Sequence, residues 1–266
     1  MVLFNKNNPA APPGRLLSYQ VANLQEIGAR EEQEDAFAFV NPTDVTEIKL
    51  NGLLAVVADG MGGMKDGRLA SRVACTSLRE DFRSMDRQED LSGLLRKSVF
   101  EAGDRIAQRL DGVGGTTIVA CIFFDEKLYY CSVGDSSLFL LRGGSLCRVN
   151  REHNVLHERY LETIREGSGD PMPARSDPEA RALSQFLGMK GMCEADLFRR
   201  PLRLCDGDVV LLCSDGVSGV LSDKELIDCL SARTATAMCA ALSDAVRRVG
   251  SVYQDNYTAL VIKCEY

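Results

Sequence analysis

The sequence predicts an α+β fold, a mainly antiparallel β core with long helices laid against it. Three observations lead there. Strand-like runs follow one another across links too short for a crossover helix, at Asp125-Glu126-Lys127 and at Arg142-Gly143-Gly144-Ser145. Successive strands joined this way pair antiparallel. Between other runs, apolar residues return at three- and four-residue steps, the spacing of one helix face. After residue 16 no Pro/Gly/Ser linker or fixed-period repeat divides the chain, so one domain follows a short tail.

That tail, residues 1–16, is rich in Asn, Pro and Ala and reads as flexible. Strands are expected at 17–24, 35–40, 53–58, 116–124, 127–133, 137–142, 145–149, 208–213 and 257–263. Ala70, Val73, Ala74, Ser77, Leu78 and Phe82 mark a first helix, and Leu91, Leu94, Leu95, Val99, Ala102, Ile106 and Leu110 a second. A third pattern runs from Leu226 through Leu230 toward Val246 and Val249. The region 154–190 matches neither period, and GSGDPMPARSDPEA within it reads as an exposed, mobile loop.

With 45% hydrophobic and 26% charged residues the composition is that of an ordinary globular protein. A net charge of -7 and the lack of a Lys/Arg run exclude a nucleic-acid surface. No apolar segment is long enough to span a bilayer, and the N-terminus lacks the pattern of a signal peptide, so the expected compartment is the cytoplasm. Ten cysteines with no CxxC pair, several inside apolar runs, read as reduced and buried.

The chemistry is written at the strand ends. The apolar run LAVVA stops at Asp59 and passes into a loop containing Gly60, Gly62 and Gly63. An unpaired buried carboxylate costs several kcal/mol, so a cation is expected there. Asp215-Gly216 repeats the device after VVLLCS, and Asp255-Asn256 precedes the last strand. Glu34 and Asp35 open another strand, and Gly134-Asp135 lies in a turn. One such acid alone is a turn residue or helix cap. Five settings at strand ends read instead as carboxylates gathered by a β core, which repel unless a cation joins them. The oxygen-only donors suit Mg²⁺ or Mn²⁺, and Gly60 can turn its carbonyl toward a metal. Two such ions about 3.5–4 Å apart activate water and clamp a displacement at phosphorus. Arg30, on the segment of Glu34 and Asp35, offers a guanidinium fork for a phosphate.

These motifs resemble the metal-dependent protein serine/threonine phosphatases of type 2C, in their bacterial form. The resemblance runs in order through GAREEQEDA, VADGMGG, GGTT, SVGDS, ALSQFLG, LLCSDGVSG and QDNYTALVI, from about residue 18 to the C-terminus. It implies a four-layer sandwich, two antiparallel sheets flanked by helices, with a metal centre at one end and a catalytic domain over 17–266. Carried over by position, Asp59 bridges two Mg²⁺ or Mn²⁺ ions and the Gly60 carbonyl binds the second. Asp215 and Asp255 bind the first, Glu34 and Asp35 hold metal-bound waters, and Arg30 grips the substrate phosphate. Asp135 matches an acid that helps bind a third metal, and 154–190 corresponds to a mobile flap beside the active site. The implied reaction is hydrolysis of phosphoserine and phosphothreonine on proteins by a metal-bridging hydroxide, with an opposing serine/threonine kinase as partner.

Departures from the family pattern matter. Gly219 stands where another Asp often supports the third metal, leaving Asp135 as a partial site or a turn residue. Met61 replaces a histidine that many eukaryotic members use as general acid, so the leaving-group proton comes from metal-bound water or another group. His153 and His157 are four apart, as on one helix face, but lack a third zinc ligand and read as packing or surface. The alternative function is a catalytically idle module that binds a phosphoprotein; an idle module would usually have lost Asp59, Asp215 or Asp255, and all three are present with Arg30. A further rival is the Cys193-x5-Arg199 spacing of cysteine-dependent phosphatases. The acidic, bulky Glu194–Phe198 stretch between them is the wrong cradle for a dianion. Cys193→Ser should therefore leave phosphate release from a phosphopeptide unchanged, and loss of turnover would restore the cysteine reading.

Overall fold

The computed structural model describes residues 16–61, 66–167 and 179–266. Gly62, Gly63, residues 1–15 of the tail and most of GSGDPMPARSDPEA lie outside the described residues. One sheet sets β1 (Ser18–Glu26), β11 (Tyr257–Glu265), β10 (Val209–Cys213), β6 (Ser137–Arg142) and β7 (Ser145–Arg148) side by side. The other runs β2 (Ala36–Val40), β3 (Leu53–Ala58), β4 (Ile118–Phe124), β5 (Lys127–Val133) and β8 (Asp196–Leu197), with β9 (Leu202–Arg203) also on β5. Every pairing is antiparallel.

Strand β3 shows why its sequence is apolar throughout. Leu53, Ala55 and Val57 point between the sheets, against Leu138, Leu140, Val210 and Leu260. The alternate residues Leu54, Val56 and Ala58 face α2 (Gly67–Ser84) and α3 (Leu91–Arg109). Both faces of the strand are buried, so the usual period-two alternation disappears. The opposite sheet is covered by α6 (Asp223–Leu230) and α7 (Ala235–Val249) through Leu226, Leu230, Met238, Leu242 and Val246. The predicted α+β sandwich of two helix-flanked antiparallel sheets is the architecture observed.

Both short hairpins form two-residue turns in which each central residue has positive φ: Asp125 and Glu126 at 51° and 56°, Gly143 and Gly144 at 57° and 78°. That twist matches the strands it joins. Three expectations need correction. The third helical pattern is two helices, because Thr234 caps a fresh start and accepts from the Ala237 N–H at 3.2 Å. Residues 154–190 contain α4 (Val155–Glu166), capped by Asn154, with no side chain fully buried. The short α1 (Val45–Asn51), capped by Asp44, was not expected from its β-branched content. Among the described residues no helix is long and apolar enough to cross a membrane. All ten cysteines are free thiols, seven of them buried.

At the pole where β6 ends and β10 begins, Arg142 holds Asp208 with both fork arms, Nε to Oδ1 at 2.8 Å and Nη2 to Oδ2 at 2.6 Å. Asp208 also accepts the Cys205 N–H at 2.7 Å, and its side chain is only 1% exposed. Removing one member of such a pair leaves a buried charge. Arg142→Met should lower unfolding stability in denaturant titration by about 3–5 kcal/mol; a loss below about 1 kcal/mol would show that water reaches Asp208.

Candidate active site

Antiparallel order sends β3, β5 and β10 toward one end of the sandwich and starts β2, β4, β6 and β11 from that same end. The residues just beyond those ends are Asp59, Asp135 and Asp215, and Asp35 and Asp255. Each acid was singled out in the sequence, and the sandwich brings them to one pole.

Asp59 sits on a tight exit from β3. Its carbonyl accepts the Thr117 N–H at 2.9 Å and the Thr116 hydroxyl at 2.7 Å, while its own N–H donates to Thr117 Oγ1 at 3.2 Å. Thr117 is fixed in turn by Ser136 at 2.7 Å. Gly60 then passes where no side chain fits: a Cβ there would meet the Gly67 carbonyl oxygen at 2.4 Å and the Glu34 carbonyl oxygen at 2.6 Å. The Ser71 hydroxyl of α2 donates to that Glu34 carbonyl at 2.5 Å, binding the helix to the loop.

Asp35 is 5% exposed. Its Oδ2 accepts the Ser214 hydroxyl at 2.8 Å, and Ser214 Oγ accepts the Thr258 N–H at 2.9 Å. Its Oδ1 is buried with no protein partner. Asp215 opens the single turn α5 (Asp215–Ser218); the residue is exposed at the mouth of the cluster, but its carboxyl reaches inward to Asp59 and loses water there. Gly216 behind it is pressed against the Asn256 carbonyl, which a Cβ would meet at 2.0 Å.

Arg30 and Asp255 form an exposed ion pair, Nη2 to Oδ2 at 2.6 Å. The loop carrying Arg30 is held by one side chain that sequence reasoning passed over. Asn256 donates to the carbonyls of Ile27 at 2.8 Å and Glu32 at 3.0 Å, and accepts the Glu34 N–H at 2.8 Å. Its position beside Asp255 in QDN was the available signal.

Electrostatics follow from the crowding. Burial and the charges of Asp35 and Asp215 hold Asp59 well above the ordinary carboxylate range. Burial first, with Asp215 next, pushes Asp135 up to about 6. Asp35 is likewise pushed up to about 6 by burial, against the lowering effect of the neighbouring Thr258 and Ser214 hydroxyls. Asp215 is raised by burial and by Asp255, and Glu34 by burial. Among the described residues no three His, Cys, Asp or Glu side chains already converge as a ligand set. A hard cation such as Mg²⁺ asks less, since it keeps several waters and takes one or two carboxylates. The orphan Asp35 Oδ1, the all-oxygen donors and the side-chain-free approach at Gly60 fit such an ion.

Other predicted features lie apart from this cluster or modify it. A Cβ on Gly219 would meet the Asp215 carbonyl oxygen at 2.8 Å, so this backbone has no room for an acid there. Asp135 is left with Arg148 on its carbonyl at 2.9 Å. His153 precedes α4 and is buried against Gly134, whose N–H it accepts at Nδ1 at 3.2 Å; it shares no helix face with His157. Cys193 is exposed, and β8 intervenes between it and Arg199.

A family model described as protein phosphatase 2C matches residues 27–252. The serine/threonine phosphatase stp of Listeria welshimeri is 30% identical over 230 residues, 82% of this chain and 87% of the relative. Protein phosphatase PhpP of Streptococcus pneumoniae is 26% identical over 219 residues, covering 79% and 83%. Among solved structures, the Mycobacterium tuberculosis serine/threonine phosphatase PstP/Ppp is similar with a TM-score of 0.75 at 27% identity, over 94% of this chain and 100% of that one. A PstP catalytic domain in complex with two manganese ions is similar with a TM-score of 0.73 at 25% identity, again over 94% and 100%.

Asp35 rises from 3.8 to about 6 on folding. A carboxylate raised in this way favours the fold while protonated and opposes it once ionised. Metal-free protein should therefore lose stability as pH rises through that interval, with Asp35 alone contributing roughly 3 kcal/mol. Denaturant titration in EDTA across that range checks this, and Asp35→Asn should flatten the slope. A fold equally stable at both ends would contradict the crowding.

Proposed function

The chain belongs to the protein phosphatase 2C family and is a metal-dependent protein serine/threonine phosphatase, and we propose that the strand-end carboxylates are its reaction centre. The observation that carries this is Asp59, an acid at the meeting point of the strand ends, raised well above the ordinary carboxylate range by burial first and then by Asp35, Asp215, Asp135 and Asp255. Such a group persists because a cation belongs beside it.

In this reading Asp59, the Gly60 carbonyl, Asp215 and Asp255 would together hold two Mg²⁺ or Mn²⁺ ions. The manganese pair reported for the PstP catalytic domain supports the choice of ion. When bound, the ions make water nucleophilic near neutral pH and neutralise charge on phosphorus.

The chain's own residues do the rest. Asp35, aimed by Ser214, presents its free Oδ1 to a water of the centre, and Glu34, one residue earlier, is proposed to hold another. Arg30 leaves Asp255 to grip two oxygens of the substrate phosphate, its reach set by the Asn256 clamp on its loop. Met61 carries no proton to give, so the leaving serine or threonine oxygen takes its proton from solvent or another group. Asp135 acts as a partial site at most, given the closed backbone at Gly219. We assign residues 17–266 to the catalytic domain, 154–190 to a flap beside the site, and a cytoplasmic serine/threonine kinase as the opposing enzyme.

Phosphate release from phosphothreonine peptides should require Mn²⁺ or Mg²⁺ and stop in EDTA. Asp59→Asn and Asp215→Asn should each lower kcat by about 10²-fold or more. Either variant working near the wild-type rate would refute the ligand assignment.

A further inference from the structure

We propose that an apolar ledge beside Arg30 docks the polypeptide of the phosphoprotein substrate, receiving an apolar side chain close in sequence to the phosphorylated residue. The proposal rests on Arg30 being the phosphate anchor.

The ledge is the turn between α7 and β11. Gly250, at φ 65°, ends the helix, and the chain returns through 251–254 to Asp255. Val249 is 51% exposed, Val252 78% and Tyr253 89%, and Ile27 across the turn is 43% exposed. These are four of the eleven exposed large hydrophobics among the described residues, so they are not the scattered singles of an ordinary surface. The turn is ordered: Ser251 accepts the Tyr253 N–H on its hydroxyl at 3.2 Å and the Gln254 N–H on its carbonyl at 3.2 Å.

Between the turn and the end of β1 lies a cavity of about 280 Å³, lined by Ile27, Val246 and Tyr257 and walled by Glu26 and Arg247. Gly28 and Gly250 at its edge bring no side chain to close it. Arg247 Nη2 meets both oxygens of Glu26, at 2.5 and 2.7 Å, so the wall has a compensated charge. Ser251 and Gln254 also line this cavity and Val252 and Tyr253 do not, so the apolar side chain is received by the exposed ledge beside it. Tyrosine beside aliphatic residues is the composition that protein interfaces favour.

What commits the ledge to substrate is its attachment to the anchor. The Ala29 N–H donates to the Gln254 carbonyl at 2.8 Å, and Arg30 pairs with Asp255. The neighbours of those residues in the chain are Tyr253 on one side and Gly28 and Ile27 on the other. Because an extended chain advances about 3.3 Å per residue, a peptide with its phosphate on Arg30 reaches the ledge within a few residues.

The test uses the full chain, phosphothreonine peptides of one length with a single Leu walked along both flanks of the phosphoresidue, and p-nitrophenyl phosphate. One Leu position should lower peptide KM about fivefold to tenfold relative to Ser, as expected for a partly buried apolar side chain. Tyr253→Ser and Val252→Ser should abolish that preference, Tyr253→Phe should keep it, and p-nitrophenyl phosphate kinetics should not change. Absence of any preferred position, or its survival in both Ser variants, would overturn the ledge. So would a parallel rise in KM for p-nitrophenyl phosphate, or a dimer in light scattering that Tyr253→Ser dissolves, which would assign the face to a second copy. Fluorescence anisotropy of the labelled peptides reads the same preference as binding. A wild-type protein that hydrolyses nothing with Mn²⁺ would thus sink the reading of the centre, while the ledge is judged separately.

Discussion

Mutual repulsion among carboxylates at the end of a β-sandwich is the constraint around which this protein is arranged. Five acids at one pole oppose folding whenever they are ionised without a cation, and Asp35, Asp59, Asp135 and Asp215 are all raised above the ordinary carboxylate range, by burial first and by one another's charge in addition. Something must hold them in place while they repel. The apolar interior between the sheets, from Leu53 to Ile262, supplies the stiffness, because close-packed side chains leave the strand ends little freedom to splay. Reactivity and stability are therefore in tension, and the tension is confined to one end of the molecule.

Polar side chains with no catalytic contact keep that end in register. Asn256 ties the Arg30 loop to the last strand, Ser214 ties Asp35 to β11 through Thr258, and Thr116 and Thr117 shape the exit of β3. Each uses a short side chain whose hydrogen bonds fix a backbone rather than a substrate. Around them the glycines at 60 and 216 let neighbouring backbones approach more closely than any Cβ allows. The centre is as much a feature of backbone packing as of ionisable groups.

Much of this was legible in the sequence because it is local. Asp59 follows an apolar strand directly, and Asp215 repeats the pattern. Two hairpins announced antiparallel pairing through turn residues alone, and α2 and α3 carried a clear three-to-four residue period. What escaped reading depends on distance along the chain. Ser214 meets Asp35 across 179 residues, and Asn256 meets Glu34 across 222. Either looks like an ordinary polar residue until the strands are aligned. Helix α4 escaped for another reason: it occupies twelve residues at the start of a stretch whose Pro- and Gly-rich remainder read as one loop, and no side chain of it is fully buried. His153, read as packing or surface, is a buried packing residue, and the start of α4 at Val155 leaves it off the helix that carries His157.

The two tight hairpin turns take on another meaning once the poles are distinguished. Asp125-Glu126 and Gly143-Gly144 both lie at the end of the sandwich away from the acids, and a Cβ at either Gly143 or Gly144 would meet nothing within 4 Å. The exposed Gly143-Gly144 tip is of the kind that tolerates inserted sequence, whereas Glu126 is tied down by the N–H groups of Leu17 and Leu204. An antiparallel sandwich divides its turns between two ends, and here only one end is committed to chemistry. The other is a handle: a fluorophore, an affinity tag or a second domain can be spliced there without a residue of the catalytic pole having to move.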